Sequence, residues 1–257
     1  MIHPQAIVDP KAELSGNVEI GPYSIIGPNV TIDEGTKIGP HVVIQGPTHI
    51  GKDNTIFQFA SIGADPQDKK YRGEPTKLVI GDRNLIRESA TIHRGTTHGS
   101  GITVVGNDNM LMAYIHIAHD CQIGNNTIFS NNASLAGHVH IADWVILSGF
   151  TLVHQFCSIG AHAFTGMGSA VSKDIPPYLL VSGNPSHPHG INKGGLKRRG
   201  FTPGQIENLL RAYKLLYRNG LSLDEAMSAL QALAEEDAIV RPIIEFLNEN
   251  VRRSVIR

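Results

Sequence analysis

Four histidines, His116, His119, His138 and His154, fall at spacings that a repeating fold would turn into neighbours. Ile117, Leu135 and Val153 are 18 residues apart. If residues at that interval stack, the three share one face. His119 then follows the first by two positions, His138 the second by three and His154 the third by one, so all three rings gather near one corner on successive rungs. His116 sits beside them. Gly137 is 18 residues after His119, and Gln155 is 18 after Gly137, so a glycine is stacked on a histidine. Imidazole titrates near neutrality and can take a proton from a hydroxyl. Neutral imidazole is also a common zinc ligand. The cluster is therefore an acid–base site or a metal site. Acid–base work is the preferred reading, because the surroundings imply a large organic substrate.

The stacking interval comes from a six-residue period. Aliphatic residues recur at every sixth position from Val8 to Ile62, again over Ile80, Ile86 and Ile92, and from Val105 to Ile159, with a weaker extension to Thr165 and Val171. That period is neither helical nor a plain strand alternation. It predicts a parallel β-helix, in which each hexapeptide makes one short strand and one corner and three hexapeptides make one coil. Coils then stack at roughly 4.8 Å. The residue after the aliphatic is usually glycine, as at Gly21, Gly27, Gly39 and Gly124, which is expected to let the backbone turn a tight corner. Four residues after the aliphatic the side chain is small or β-branched, as at Ser24, Val30, Ala133 and Val139, and is expected to point inward.

Two polar excursions interrupt the coil, at residues 64–78 and at 93–101. Long loops on a rigid scaffold are often functional. The repeat is expected to end after Pro176-Pro177, which gives a coil over residues 1–177 and a linker with a helical module over 178–257. Thr202-Pro203-Gly204-Gln205 reads as a capping box with proline at the first helical position. Gly220 ends that helix, Ser222 opens a second, and a third is expected from about Ile239 to Asn250. The module is expected to pack on the coil and cover its open sheet edge.

Composition excludes several classes. Lys plus Arg number 22 against 23 Asp plus Glu, for a net charge of −1, so nothing suggests general nucleic-acid binding. There is no apolar run long enough to span a membrane and no secretory signal at Met1-Ile2-His3-Pro4, which makes the cytoplasm the expected compartment. Cys121 and Cys157 are 36 residues apart, two coils in one column. That separates them by roughly 9–10 Å, too far for a disulfide, and both read as core residues.

Several local motifs resemble one family. They are His116-Ile117-Ala118-His119-Asp120-Cys121, Asn131-Asn132-Ala133-Ser134-Leu135-Ala136-Gly137-His138, Val153-His154-Gln155-Phe156-Cys157, Ile92-His93-Arg94-Gly95-Thr96, Gly183-Asn184-Pro185 and Gly194-Gly195-Leu196-Lys197-Arg198-Arg199-Gly200-Phe201. Together they resemble the UDP-N-acetylglucosamine O-acyltransferases of lipid A biosynthesis, over essentially the whole chain. The resemblance implies a left-handed coil and a homotrimer with active sites between neighbouring coils. It implies transfer of an R-3-hydroxyacyl group from acyl carrier protein, through its phosphopantetheine, to the 3-hydroxyl of UDP-N-acetylglucosamine. No separate cofactor, metal or acyl-enzyme is implied.

By the same resemblance His119 is the general base, Asp120 orients its ring and Gly137 offers a backbone N–H to the oxyanion. Asp68 and Lys70 contact sugar or phosphate. His116, His138, His154 and Gln155 line the site, and Asn192, Arg198 and Arg199 match nucleotide and phosphate positions. Gly194 stands where the family pattern carries a glutamate, which bears on the ribose side. Met167 stands where members using longer acyl chains have glycine, and implies a donor near ten carbons. An acidic carrier protein calls for a basic docking surface, for which Arg198, Arg199, Arg211, Lys214 and Arg218 are candidates.

The rival readings are the N-acyltransferase of the same pathway, a sugar N-acetyltransferase using acetyl-CoA, a zinc carbonic anhydrase of the γ class, and a non-catalytic solenoid. The first carries a uridine-binding domain before its coil, whereas here the repeat begins by Val8.

Overall fold

The computed structural model describes residues 1–249 and 254–257. Short parallel strands, most of them two residues long, stack into three sheets that wrap the chain into a triangular coil. The first face runs from Ile7–Val8 to Ala170–Val171, the second from Glu13–Leu14 to Ser158–Ile159, and the third from Glu19–Ile20 to Leu179–Ser182. Register follows the 18-residue interval, with Ile117 paired to Leu135 and Leu135 to Val153. The aliphatic columns are buried from Ile20 to Val171, as are the inward positions Ser24, Val30, Ala133, Val139, Cys121 and Cys157. Each buried Ile, Leu or Val side chain contributes about 1.5–3 kcal/mol on leaving water, and stacking them in columns gives the thin coil a continuous core.

The corners turn differently from the sequence expectation. Glycines one residue after the aliphatic are not, Gly63 excepted, in the left-handed region. They are needed because the next coil is too close, since a Cβ on Gly21 would stand 2.8 Å from the carbonyl carbon of Gly39. The left-handed bend falls two residues later, on Tyr23, Asn29, Asp53, Asp120, His138 and Phe156 among others. A non-glycine residue held there costs on the order of 1–3 kcal/mol. In return its N–H reaches a carbonyl one coil earlier, as Tyr23 does to Gln5 and His138 to His119.

The excursions leave the coil and rejoin it in register. Ile62 pairs with Ile92 and Ile92 with Ile117, so each loop is an addition to an unbroken ladder. The parallel ladder also continues past residue 177, because Leu180 and Val181 pair with Phe164 and Thr165. Pro177 occupies the corner position two after Ile175, where Pro22, Pro28 and Pro40 sit in earlier coils, so Pro176-Pro177 bends the chain without ending the repeat. His187–Ile191 then adds an antiparallel strand that closes the third sheet.

Among the described residues four helices follow: α1 (Lys193–Arg198), α2 (Pro203–Tyr217), α3 (Leu223–Glu236) and α4 (Arg241–Asn248). The expected capping box of Thr202 with Gln205 forms, and Ser222, expected to open the next helix, forms another with Glu225. α1 was not expected from sequence, having two glycines in six residues. α4 starts at Arg241 after a short 3₁₀ turn, and the expected terminus at Asn250 lies outside the described residues. Leu196, Ile206, Leu209 and Tyr213 join Leu179, Val181 and Ile191 in one core, so the helices share the coil's hydrophobic interior.

Candidate active site

His119 and Gly137 are successive members of one corner column, two residues after Ile117 and Leu135. Asp120, His138 and Phe156 form the adjacent column, each in the left-handed conformation. Two ladders thus place five residues side by side. The His138 ring meets His119 edge-on at 5.1 Å and stacks on Phe156 at 4.5 Å. The His119 imidazole lies over Gly137, where a Cβ would stand 2.6 Å from Cε1 and 2.8 Å from Nε2.

Asp120 organises this corner from beneath. Its carboxylate is 1 % exposed and its Oδ2 is 2.9 Å from His119 Nδ1 and 3.8 Å from His138 Nδ1. The second excursion supplies its other partners: Thr96 donates through both its N–H and its hydroxyl (2.7 Å), and Ser100 Oγ and the Gly101 N–H donate to Oδ1. Burial alone would raise the Asp120 pKa, but the hydrogen bonds from His119 and Thr96 outweigh it and hold the pKa at about 2. An ionised Asp120 only accepts, so His119 Nδ1 carries the proton and Nε2 keeps its lone pair. That is the tautomer a general base requires.

Gly137 offers the complementary charge. Its N–H has no acceptor among the described residues, and its corner position is the one where other coils tolerate proline. The donor is left over by the ladder and available to a developing oxyanion.

A cleft of about 580 Å³ opens over this corner, lined by Gln67, Asp68, Lys70, Thr96, His119 and Gln155 among others. The first excursion therefore reaches the histidine corner within one chain. Asp68 accepts from the Lys70 N–H at 2.9 Å. That bond, together with the nearby His119, lowers its pKa.

His116 faces outward from its strand with Nδ1 2.8 Å from Thr91 Oγ1 and its ring 5.3 Å from His93. Burial, then the neighbouring histidines, lowers its pKa to about 4, so it is neutral at pH 7. His154 lies one position before the corner column on the third rung, exposed, with Nδ1 3.2 Å from the Gln155 carbonyl.

A second group sits at the corner between the second and third faces. Asn192 caps α1, accepting from the Gly195 N–H and donating to the His162 carbonyl. Arg199 lies over the Trp144 ring at 5.0 Å, and His162 stacks on Tyr178. Arg198 belongs to the last turn of the same helix. Within one chain, this group and the His119 group occupy different corners. Met167 projects at the third corner, between the third and first faces, and is 80 % exposed. Of the basic docking candidates, Arg211 is paired with Glu236 and Arg218 lies over Tyr213.

Sequence reasoning did not assign roles to Thr96, Ser100, Gly101 or Arg94. The available signal was the polar second excursion and the His93-Arg94-Gly95-Thr96 run. The loop's added length hides which residue faces Asp120.

Comparison with known proteins fits this geometry. Residues 174–256 match the family model described as UDP-N-acetylglucosamine O-acyltransferase, domain 2, and residues 1–34 and 102–137 match the bacterial transferase hexapeptide. The acyl-[acyl-carrier-protein]–UDP-N-acetylglucosamine O-acyltransferase of Herminiimonas arsenicoxydans is 61 % identical across all of this chain and 99 % of its own. The chain belongs to the UDP-N-acetylglucosamine O-acyltransferase family. The family enzyme of Thiobacillus denitrificans is 57 % identical over 100 % of this chain and 99 % of its own. Among solved family structures, the Francisella novicida UDP-N-acetylglucosamine acyltransferase superposes with a TM-score of 0.97 at 47 % identity, covering all of this chain and 94 % of that one. The Arabidopsis acyltransferase gives 0.86 at 35 % identity, covering 100 % of both chains. The fold class is the expected one, a parallel β-helix followed by helices. Among the described residues no helix is long and apolar enough to cross a membrane.

Proposed function

We propose that His119 is the general base of an acyl transfer to a sugar hydroxyl. As a member of its family the chain is an acyl-[acyl-carrier-protein]–UDP-N-acetylglucosamine O-acyltransferase, the enzyme of the first step of lipid A biosynthesis. His119 Nε2 takes the proton of the glucosamine 3-hydroxyl while that oxygen attacks the thioester carbonyl of the carrier-bound 3-hydroxyacyl group. The Gly137 N–H donates to the oxyanion. Collapse forms the ester and expels the phosphopantetheine thiolate, which recovers the proton from His119. Asp120, ionised and buried, stabilises the intervening imidazolium. Direct attack calls for no acyl-enzyme and no resident cofactor.

The observation that carries this reading is the Asp120–His119 hydrogen bond, which fixes the basic tautomer, beside a glycine with an unused N–H. Asp68, Lys70, His116, His138, His154 and Gln155 are read as substrate contacts around it. His119, Asp120 and His138 also bring possible metal-ligand atoms within 4.8 Å of one another, as a zinc reading would need. Acid–base work is favoured because the Asp120 oxygens already accept from Thr96, Ser100, Gly101 and His119.

Residue chemistry on the faces supports a homotrimer. Outward positions of the third face include Leu85, Met110, Ile128 and Ile146, and those of the first include Ile7, Ile25 and Leu152. Exposed Tyr23, Phe59, Tyr114 and Phe150 line the corner between them. The second face is more polar, with Glu13, Thr31, Gln122 and His140. Three copies packed with the aromatic edge at the axis would set the first face of one copy against the third face of the next. The His119 corner of one copy would then meet the Asn192, Arg198 and Arg199 corner of its neighbour, and Met167 would border a groove near the axis. On this reading Met167 limits the donor to about ten carbons, and the enzyme works in the cytoplasm with its carrier protein.

The test is an assay with UDP-N-acetylglucosamine and a panel of 3-hydroxyacyl carrier proteins, on native and His119→Ala enzyme. Loss of about 10²–10⁴-fold in kcat or more with an intact trimer is expected. Native-level transfer by the variant overturns the base assignment. Stoichiometric zinc that is lost together with activity on chelation would favour the metal reading.

A further inference from the structure

We infer that the segment from His93 to Gly101 is a positioning element that sets the two halves of the site separately: Arg94 fixes the loop carrying Asp68 and Lys70, and Thr96 fixes the Asp120–His119 pair. The inference rests on the roles given above to His119, Asp68 and Lys70.

The Arg94 side chain is 6 % exposed although it belongs to an excursion. It donates to the Gly63 carbonyl at 2.6 Å, to the Tyr71 hydroxyl at 2.9 Å and to the Asp65 carboxylate. Gly63 and Asp65 stand where the first excursion leaves the coil, and Tyr71 lies in its middle. His93 adds a bond from Nδ1 to the Asp65 carbonyl at 2.6 Å. A carbonyl only accepts, so this nitrogen carries the proton. The turn bearing the substrate contacts hangs from the same anchor, since the Tyr71 N–H donates to the Asp68 carbonyl and the Lys70 N–H to the Asp68 carboxylate.

Two residues further on, the chain serves a different partner. Thr96 gives Asp120 two donors, and the Gly99 and Gly101 N–H groups close a turn onto the Thr96 carbonyl. Gly99 faces the Asp120 carboxylate so closely that a Cβ there would collide with it. Between the two functions lies Gly95, whose own Cβ would collide with Ile102. A tightly packed glycine therefore separates an arginine bonded to the first excursion and the strand residue before it from a threonine bonded to the aspartate. Displacing the first should alter how the nucleotide sugar is held, and displacing the second should alter the base.

Steady-state kinetics with UDP-N-acetylglucosamine varied at saturating donor separate these effects. Tyr71→Phe is expected to raise KM about threefold and Arg94→Lys about tenfold, with kcat within about twofold of native. Thr96→Val is expected to lower kcat about tenfold with KM within about twofold, and Thr96→Ser to restore it. The inference is overturned if Arg94→Lys and Thr96→Val change kcat and KM in the same proportion, or if neither changes either constant. Should Arg94→Lys melt too low to assay, Tyr71→Phe alone decides that half, since its ring can stay in place. His119→Ala run alongside keeps the two readings apart. If it retains native kcat, the base assignment fails. If it is inactive while the split is missing, only the positioning inference fails.

Discussion

The His119 imidazole rests on the backbone of Gly137, so near that a Cβ at 137 would stand 2.6 Å from Cε1. The glycine is there because of the ring above it, since its own backbone is outside the left-handed region. On the proposed mechanism, base and oxyanion donor are thus fixed by one contact between adjacent coils.

Gly137→Ala should therefore fold normally and fail in catalysis. The added methyl must push the imidazole off its position, and a misplaced base together with a misaligned donor is expected to lower kcat about 10²–10³-fold. Far-UV dichroism and a thermal melt check the fold, and initial rates check the loss. A variant with native rates would show that the contact is incidental.

Asp120→Asn tests the tautomer. An amide nitrogen facing His119 Nδ1 donates, which moves the ring proton to Nε2 and removes the basic lone pair. Expected is a fall in kcat of about 10²–10⁴-fold with KM for the nucleotide sugar little changed. Because Thr96, Ser100 and Gly101 also aim donors at this group, the melting temperature should drop as well.

Met167→Gly should lengthen the preferred donor. Removing the side chain opens room for several methylenes, each contributing about 0.8 kcal/mol when buried. The ratio of fourteen-carbon to ten-carbon rates is expected to rise at least about tenfold. A native enzyme that already prefers fourteen carbons would contradict the proposed role.

Acidification should weaken the fold before it touches Asp120. Burial lowers His116 and His162 to about 4, with neighbouring histidines adding to the first and Arg199 to the second. Between about 4 and the ordinary 6.5 the unfolded chain binds more protons at these sites than the folded one, so stability falls as pH falls through that window. Asp120, at about 2, stays ionised and keeps its contribution there. Thermal melts at stepped pH should show the decline, and His162→Asn should flatten it by at least about 2 °C. His162 is packed among Trp144, Tyr178, Phe201 and Arg199.

The coil was legible because its period is rigid. The spacing of Ile117, Leu135 and Val153 alone implies that Gly137 stacks on His119 and that both cysteines are buried, as they are. Four things escaped. The partners of Asp120 lie in a loop whose length breaks the interval, so no arithmetic leads from Thr96 to Asp120. The left-handed residue at each corner is chemically varied, from Tyr23 to Asp120, while the conspicuous glycines answer to the spacing between coils. Pro177 resembles a terminator because a second proline precedes it where the earlier coils carry glycine, although Pro22, Pro28 and Pro40 hold the same corner position. His154 reads into the corner by counting but stands one position before it on an exposed edge.

The unbroken ladder across the two excursions also dictates where this chain can change length. Ile62 still finds Ile92, and Ile92 still finds Ile117, whatever is looped out between them. Between Ile117 and Val153 no such slack exists. Even one hexapeptide inserted there would carry Gly137 round to another side of the prism and leave His119 facing a stranger. The ladder therefore leaves room for length changes in the loops away from the anchors Arg94 and Thr96, whereas the stretch beneath the cleft tolerates substitution but not insertion.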